Sequence, residues 1–177
     1  GHFDYGMREL RRRGLVAALE RRVLEDGVPI LGICLGAQLL TRGSEEGSEP
    51  GLGWIDGRTV AFDRARIGPA LRVPHMGWAD TWSLRANPLA AAVPADARFY
   101  YVHSFHLVCE REEQAILAAR HGYEFVSGVQ CGNILGAQFH PEKSHRFGMR
   151  ILRSFAAWQP GGEARAVLEV EIATPAG

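Results

Sequence analysis

Between residues 7 and 25 the apolar side chains of Met7, Leu10, Leu15, Val16, Leu19 and Val23 recur at helical spacing among charged neighbours. The pattern predicts a helix lying with one stripe on a core, interrupted at Gly14 and ended by Gly27-Val28-Pro29. Ile30-Leu31-Gly32-Ile33 has no polar face, as expected of a parallel strand buried between helix layers. Residues 35–41 read as helix, and residues 43–53, rich in Gly, Ser and Glu without a period, as surface loop. Strands are expected at 58–62 and 70–73, with Pro74-His75-Met76-Gly77-Trp78 as a loop. Residues 98–102 carry a strong strand pattern; 114–119 and 124–129 read as antiparallel partners and 134–139 as a further strand. An amphipathic helix over 146–158 closes the pattern, and Pro160-Gly161-Gly162 opens a tail. The expected architecture is one α/β domain over residues 1–158, with a mixed, largely parallel sheet flanked by helices, followed by a tail over 159–177.

A central buried strand needs neighbours on both sides, and parallel neighbours arrive through crossovers of about a dozen residues or more. Only 29 residues precede Ile30, and their pattern is helical, starting at Gly1 rather than Met. Strands are therefore expected upstream of this chain. Of the 177 residues, 46% are hydrophobic and 23% charged, which favours a folded core over disorder. Lys plus Arg number 20 and Asp plus Glu 20, so no long-range field points to nucleic acid or an anionic membrane. Arg11-Arg12-Arg13 reads as a solvated helix face. Apolar runs such as residues 28–35 fall short of the roughly 20 residues that cross a bilayer. Three cysteines, Cys34, Cys109 and Cys131, are too few for a disulfide scaffold, so a reducing, cytoplasmic setting without a signal peptide is expected.

The candidate chemistry begins at Gly32-Ile33-Cys34-Leu35-Gly36, where the buried strand meets a helix. This is a nucleophile-elbow arrangement with sulfur in place of hydroxyl. The crowded turn calls for flanking residues without side chains, the helix N-terminus favours thiolate, and the N–H of Leu35 is placed to receive an oxyanion. Composition alone predicts about 0.04 such matches, so the motif needs a partner to decide it. A cysteine nucleophile needs a base and the base an orienter. His140 and Glu142, held extended by Pro141 at a strand end, supply both. His103 with His106, and His140 with His145, have ligand chemistry, and His140-Pro141-Glu142 echoes the H-x-E of zinc deaminases. That signature requires a later P-C-x-x-C, and no cysteine follows Cys131, so no metal is expected.

These residues resemble the class I glutamine amidotransferases, and among them most closely the glutaminase subunits of imidazole glycerol phosphate synthases. The resemblance runs from Gly1 to Trp158 and rests on four stretches in the family's order. They are Gly32-Ile33-Cys34-Leu35-Gly36-Ala37-Gln38, Val73-Pro74-His75-Met76-Gly77-Trp78, Tyr100-Tyr101-Val102-His103-Ser104, and Gly136-Ala137-Gln138-Phe139-His140-Pro141-Glu142-Lys143-Ser144. It implies a flavodoxin-like fold and a triad of Cys34 as nucleophile, His140 as base and Glu142 as orienter. It further implies Gln38, Glu46, Ser104 and Phe105 as glutamine-binding positions, Trp78, Lys143 and Tyr100 as the border with a synthase partner, and no cofactor. The partner would be the cyclase subunit that receives ammonia, in a heterodimer. His106 and Ser144-His145-Arg146-Phe147-Gly148-Met149 look more like a paralogue that feeds a sugar amidotransferase. Another cysteine hydrolase of the same fold, a peptidase or γ-glutamyl hydrolase, and an inactive regulatory subunit are the alternatives.

Two departures from the family stand out. Ala79 follows Trp78 where the family usually has Asn. The family's Pro-Gly-Val-Gly loop, which completes the oxyanion hole, would lie upstream of Gly1; Phe3-Asp4-Tyr5-Gly6-Met7 echoes a family opening, but the elbow would then follow too soon. The isolated chain is accordingly expected to be poorly stable and nearly inactive.

Overall fold

In the computed structural model, residues 1–160 are described. The chain opens with α1 (Phe3–Arg12), whose first turn is capped by His2 Nδ1 accepting the Asp4 N–H. Gly14 at φ 66° breaks the helix as the sequence predicts, and α2 (Leu15–Glu20) runs on through a π-helical turn at Arg21–Glu25. Phe3 and Met7 of α1 bury against Leu39, and Arg11, Arg12 and Arg13 are exposed. Next come β1 (Ile30–Ile33), α3 (Leu35–Leu39), the loop that contains residues 43–53, and β2 (Gly57–Ala61).

Two expectations fail in the following stretch. Residues 70–73 form no strand; a helical turn, α4 (Arg64–Ile67), lies ahead of them, capped by the Asp63 carboxylate. The supposed loop at 74–78 belongs instead to β3 (His75–Ser83). Proline blocks ladder bonding only at its own position, and β3 begins one residue after the cis Val73–Pro74 peptide. β4 (Arg98–His103) follows, then β5 (Phe105–Cys109), which the sequence reading missed. Its alternation is masked because His106 is buried there beside Leu107. β6 (Ala115–His121), β7 (Tyr123–Cys131), β8 (Ile134–Ala137) and α5 (His145–Ala157) lie where the pattern places them. The tail expected from Gln159 lies outside the described residues from position 161 on.

The sheet runs β1-β8-β7-β6-β3-β4, with the β2–β5 ribbon joined to β7 through β5. It is mixed, as expected, but the balance among the described residues is antiparallel, with β1–β8 the one parallel ladder of named strands. That ladder pairs Ile33 with Ala137, so the chain leaves both strands at the same end. Phe147 and Ile151 of α5 pack into the main core with Phe99 and Phe139, whose rings stack 4.1 Å apart. No helix among the described residues is long and apolar enough to cross a membrane.

Candidate active site

Cys34 joins β1 to α3 at φ 48° and ψ −106°, a conformation uncommon for any residue with a side chain and typical of a nucleophile elbow. Its N–H donates to Ala137 O at 2.8 Å, tying the elbow to β8. A Cβ on Gly32 would come within 2.7 Å of the Gly36 backbone, so strand and helix approach closely only because Gly32 lacks one. A Cβ on Gly36 would meet nothing within 4 Å, so only one of the two flanking positions has the expected steric need.

The thiol lies 3.9 Å from Val102 O and accepts from Gln138 Nε2 at 3.7 Å. Burial pushes the Cys34 thiol up, against the opposing pull of the Leu35 N–H and the Gln138 amide. The expected resting thiolate is thus corrected: α3 has only five residues, and desolvation outweighs its N-terminal field. Such a thiol needs a base to react.

His140 is that candidate. Its Nδ1 lies 2.6 Å from Glu142 Oε1, and because a carboxylate only accepts, Nδ1 carries a proton, which in the neutral ring leaves Nε2 to act as the base. Nε2 is buried and has no hydrogen-bond partner. The side chain of His140 is 16% exposed and that of Glu142 49%. The backbone of this turn is pinned from two sides. His140 N–H donates to Tyr100 O at 2.9 Å, and Ser144 Oγ donates to His140 O at 2.6 Å while accepting the Tyr100 N–H. Ser144, fully buried, braces this turn and Gln138, two residues before His140, donates to the thiol; the sequence reading gave neither a role, although both lie in its last motif.

A pocket of about 220 Å³ opens beside Cys34, lined also by Leu35, Gln38, Glu46, Ser104 and Phe105, among others. The five positions expected to meet substrate or oxyanion therefore do gather around the thiol. Two of them already have partners within the protein. Gln38 Nε2 donates to Phe105 O at 3.1 Å and to Gln138 Oε1 at 3.2 Å, and Glu46 Oε2 accepts the Phe3 N–H at 2.7 Å. Asp4 braces the same loop by accepting the N–H groups of Ser48 and Glu49, which hold its carboxyl below the usual range. Trp78 is 39% exposed, stacks on His145 at 5.5 Å and meets the edge of Tyr100 at 6.2 Å. Lys143 is exposed on the 3-10 turn Pro141–Lys143, and Ala79 is buried. Among the described residues no three His, Cys, Asp or Glu side chains converge as metal ligands do.

A family model described as glutamine amidotransferase class-I matches residues 6–157. The chain belongs to the class I glutamine amidotransferases. It is 43% identical over 155 residues to the imidazole glycerol phosphate synthase subunit HisH 2 of Pseudomonas aeruginosa, covering 88% of this chain and 75% of that protein. It is 43% identical over 160 residues to the HisH subunit of Sulfurimonas denitrificans, covering 90% and 76%. Among solved structures, a glutamine amidotransferase from Thermotoga maritima superposes with a TM-score of 0.55 at 19% identity, covering 88% of this amidotransferase and 58% of that chain. One from Methylobacillus flagellatus gives 0.55 at 14% identity, covering 86% and 72%. At such identities these two establish the fold.

Proposed function

We propose that this amidotransferase is a glutaminase that releases ammonia from glutamine through a thioester on Cys34 and passes it to the cyclase partner of an imidazole glycerol phosphate synthase. His140 Nε2 takes the proton of the Cys34 thiol as Sγ adds to the side-chain amide carbon of glutamine. The negative charge that gathers on the amide oxygen is received by the Leu35 N–H at the start of α3. The C–N bond then breaks and the leaving nitrogen takes the proton back from His140, giving ammonia and a glutamyl thioester. A water deprotonated by His140 attacks the thioester; glutamate leaves and the thiol is restored. Glu142 keeps the proton of His140 on Nδ1 throughout, so Nε2 is always the working nitrogen.

The observation that carries this reading is the parallel Ile33–Ala137 register, which brings the elbow thiol and the His140–Glu142 pair to one end of the sheet. Supporting it are the HisH relatives, which are named as subunits of imidazole glycerol phosphate synthase. The stacked, half-exposed Trp78 next to Tyr100, with Lys143 nearby on the turn that follows His140, forms the surface for the partner. The three unpaired cysteines agree with a reducing, cytoplasmic setting. Glutamate release from glutamine is the test, measured with the cyclase partner present. Cys34→Ala should lower it by at least about 10⁴-fold. Hydrolysis that survives in this variant would rule the mechanism out.

A further inference from the structure

Behind the wall of the glutamine pocket lies a pair of buried histidines that the proposed chemistry does not use. His103 lines the 220 Å³ pocket, and His75 lines a second cavity of about 490 Å³ with His121, Arg98 and Arg120. The hydrogen bonds between them run in only one direction. His103 Nδ1 is 2.8 Å from Phe105 O, and a carbonyl only accepts, so the ring carries its proton on Nδ1. Its Nε2 is then an acceptor, and 3.1 Å away stands His75 Nδ1, which must donate. His75 in turn has its Nε2 bare, and its ring stacks at 4.2 Å on His121, whose own Nε2 donates to Arg72 O. Burial lowers His75 to about 4 and His103 to about 3, so both rings are neutral near pH 7 and the assignment is not blurred by a second proton. The end of this chain, Phe105 O, is also the acceptor for Gln38 Nε2. The segment it closes, residues 102–105, supplies four residues of the pocket wall, including Val102, whose carbonyl faces the Cys34 thiol at 3.9 Å.

We propose that His75 and His103 are positioning residues: both hold the Nδ1–H tautomer and form a one-way donor chain that fixes the Phe105 carbonyl and with it the wall of the glutamine pocket. In a free neutral histidine side chain the proton prefers Nε2; the Phe105 carbonyl beside His103 Nδ1 reverses that preference, and the His103 Nε2 so freed reverses it in turn at His75. The substrate named here rests on the glutaminase reading above; the tautomers do not.

Two measurements on the full protein test this. Long-range ¹H–¹⁵N correlation spectra at pH 7 should show both rings protonated at Nδ1 and bare at Nε2, each ring identified by the signals lost in His75→Asn or His103→Asn. A proton on Nε2 of either ring overturns the chain of donors. The second arm follows inactivation by a diazo-ketone analogue of glutamine at Cys34. Asn places an amide N–H near the position of Nδ1, and Gln near that of Nε2. His103→Gln should therefore raise the half-saturating analogue concentration about tenfold, with little change in the limiting rate. His103→Asn should restore it to within about twofold, and His75→Asn should outperform His75→Gln in the same way. Equal impairment by Asn and Gln at either position would reduce the pair to ordinary core packing and overturn the proposal. Should a variant fail to fold, the wild-type spectra still decide, because the proximity of the His75 and His103 rings, 5.2 Å between centroids, identifies the pair by through-space contacts. A wild-type protein that the analogue does not label would count against the glutaminase reading and leave the tautomer result standing.

Discussion

At Cys34 the local backbone and the surroundings pull in opposite directions. The elbow offers the Leu35 N–H to the sulfur, and burial removes the water that a thiolate would need. A simple alkylator such as iodoacetamide at pH 7 should therefore modify Cys34 several-fold more slowly than it modifies a free thiol. A diazo-ketone analogue of glutamine, held in the pocket beside Cys34, should label Cys34 and spare Cys109, whose thiol burial pushes up to about 11. Mass spectrometry of the labelled peptides reads both outcomes, and equal labelling of the two sites would contradict them. The orienter can be graded in the same way. Glu142 is half exposed, so water can partly replace its carboxylate, and Glu142→Gln should lower turnover by about 100-fold rather than the roughly 10⁴-fold known for a fully buried orienter. The proposed roles rest on sequence signals that need only near neighbours in the chain: a glycine before the thiol, and a proline between base and acid. The raised thiol was not legible, since β4 and β8, which bury it, come 64 residues or more later.

At the level of elements, two glycine contacts show how closely the site's supports are packed. A Cβ on Gly148 of α5 would lie 1.7 Å from Pro141 O, on the turn that carries His140 and Glu142. Gly148→Ala should destabilise the fold by about 1–3 kcal/mol and lower glutamine turnover with it, measured by urea denaturation and glutamate release. The β1–α3 junction makes the contrast: Gly32→Ala should be costly, and Gly36→Ala, with open space around it and helical backbone to gain, should be neutral or stabilising by up to about 1 kcal/mol. A stable Gly32→Ala protein would mean that the strand and helix can separate without loss. Both elements of this junction were predicted, β1 from a short run apolar on both faces and α3 as the helix that follows it. β3 was hidden because Pro74, just before it, and Gly77, near its start, have turn-like composition, and only pairing with β4 and β6 makes it a strand.

Across the whole molecule, the buried histidines set how stability depends on pH. His75 and His103 sit near 4 and 3 in the fold against about 6.5 in the unfolded chain, and burial lowers His106 as well. Their surroundings compensate only in part: His121 opposes a charge on His75 and Arg66 one on His106, while the Phe105 carbonyl at His103 and the Leu107 carbonyl and Glu45 at His106 favour one without offsetting burial. Above about pH 7.5 these histidines are neutral in both the folded and the unfolded chain and this contribution to stability is at its full value. As pH falls from 6.5 towards 4, the unfolded chain binds protons that the folded chain refuses, and each histidine costs up to about 1.4 kcal/mol per pH unit. The urea midpoint should fall clearly between pH 7 and pH 5, before the lowered carboxyls of Asp4 and Glu9 matter. A midpoint flat over that range would refute the burial argument. Partner binding belongs to the same scale. If the proposed cyclase partner docks at Trp78, Trp78→Ala should weaken the association by more than about 2 kcal/mol and Lys143→Ala by less, as calorimetric titration would show, because a stacked aromatic anchor buries more than a solvated rim charge.

By itself the sequence determined the α/β class, most of the strands and helices, and the residue types of the candidate triad. All of these follow from periodicity or from groups within a few residues of each other. Only the tertiary structure decided that the Cys34 elbow and the His140 turn stand at the same end of the sheet, because that depends on the register of β1 against β8 across 100 residues of chain. It alone decided that Gln38 and Glu46 spend their polar groups on Phe105 and Phe3, and that His103 leans on His75. A histidine in a sequence carries two nitrogens of undetermined role; which of them holds the proton is fixed by the carbonyl the fold puts beside it.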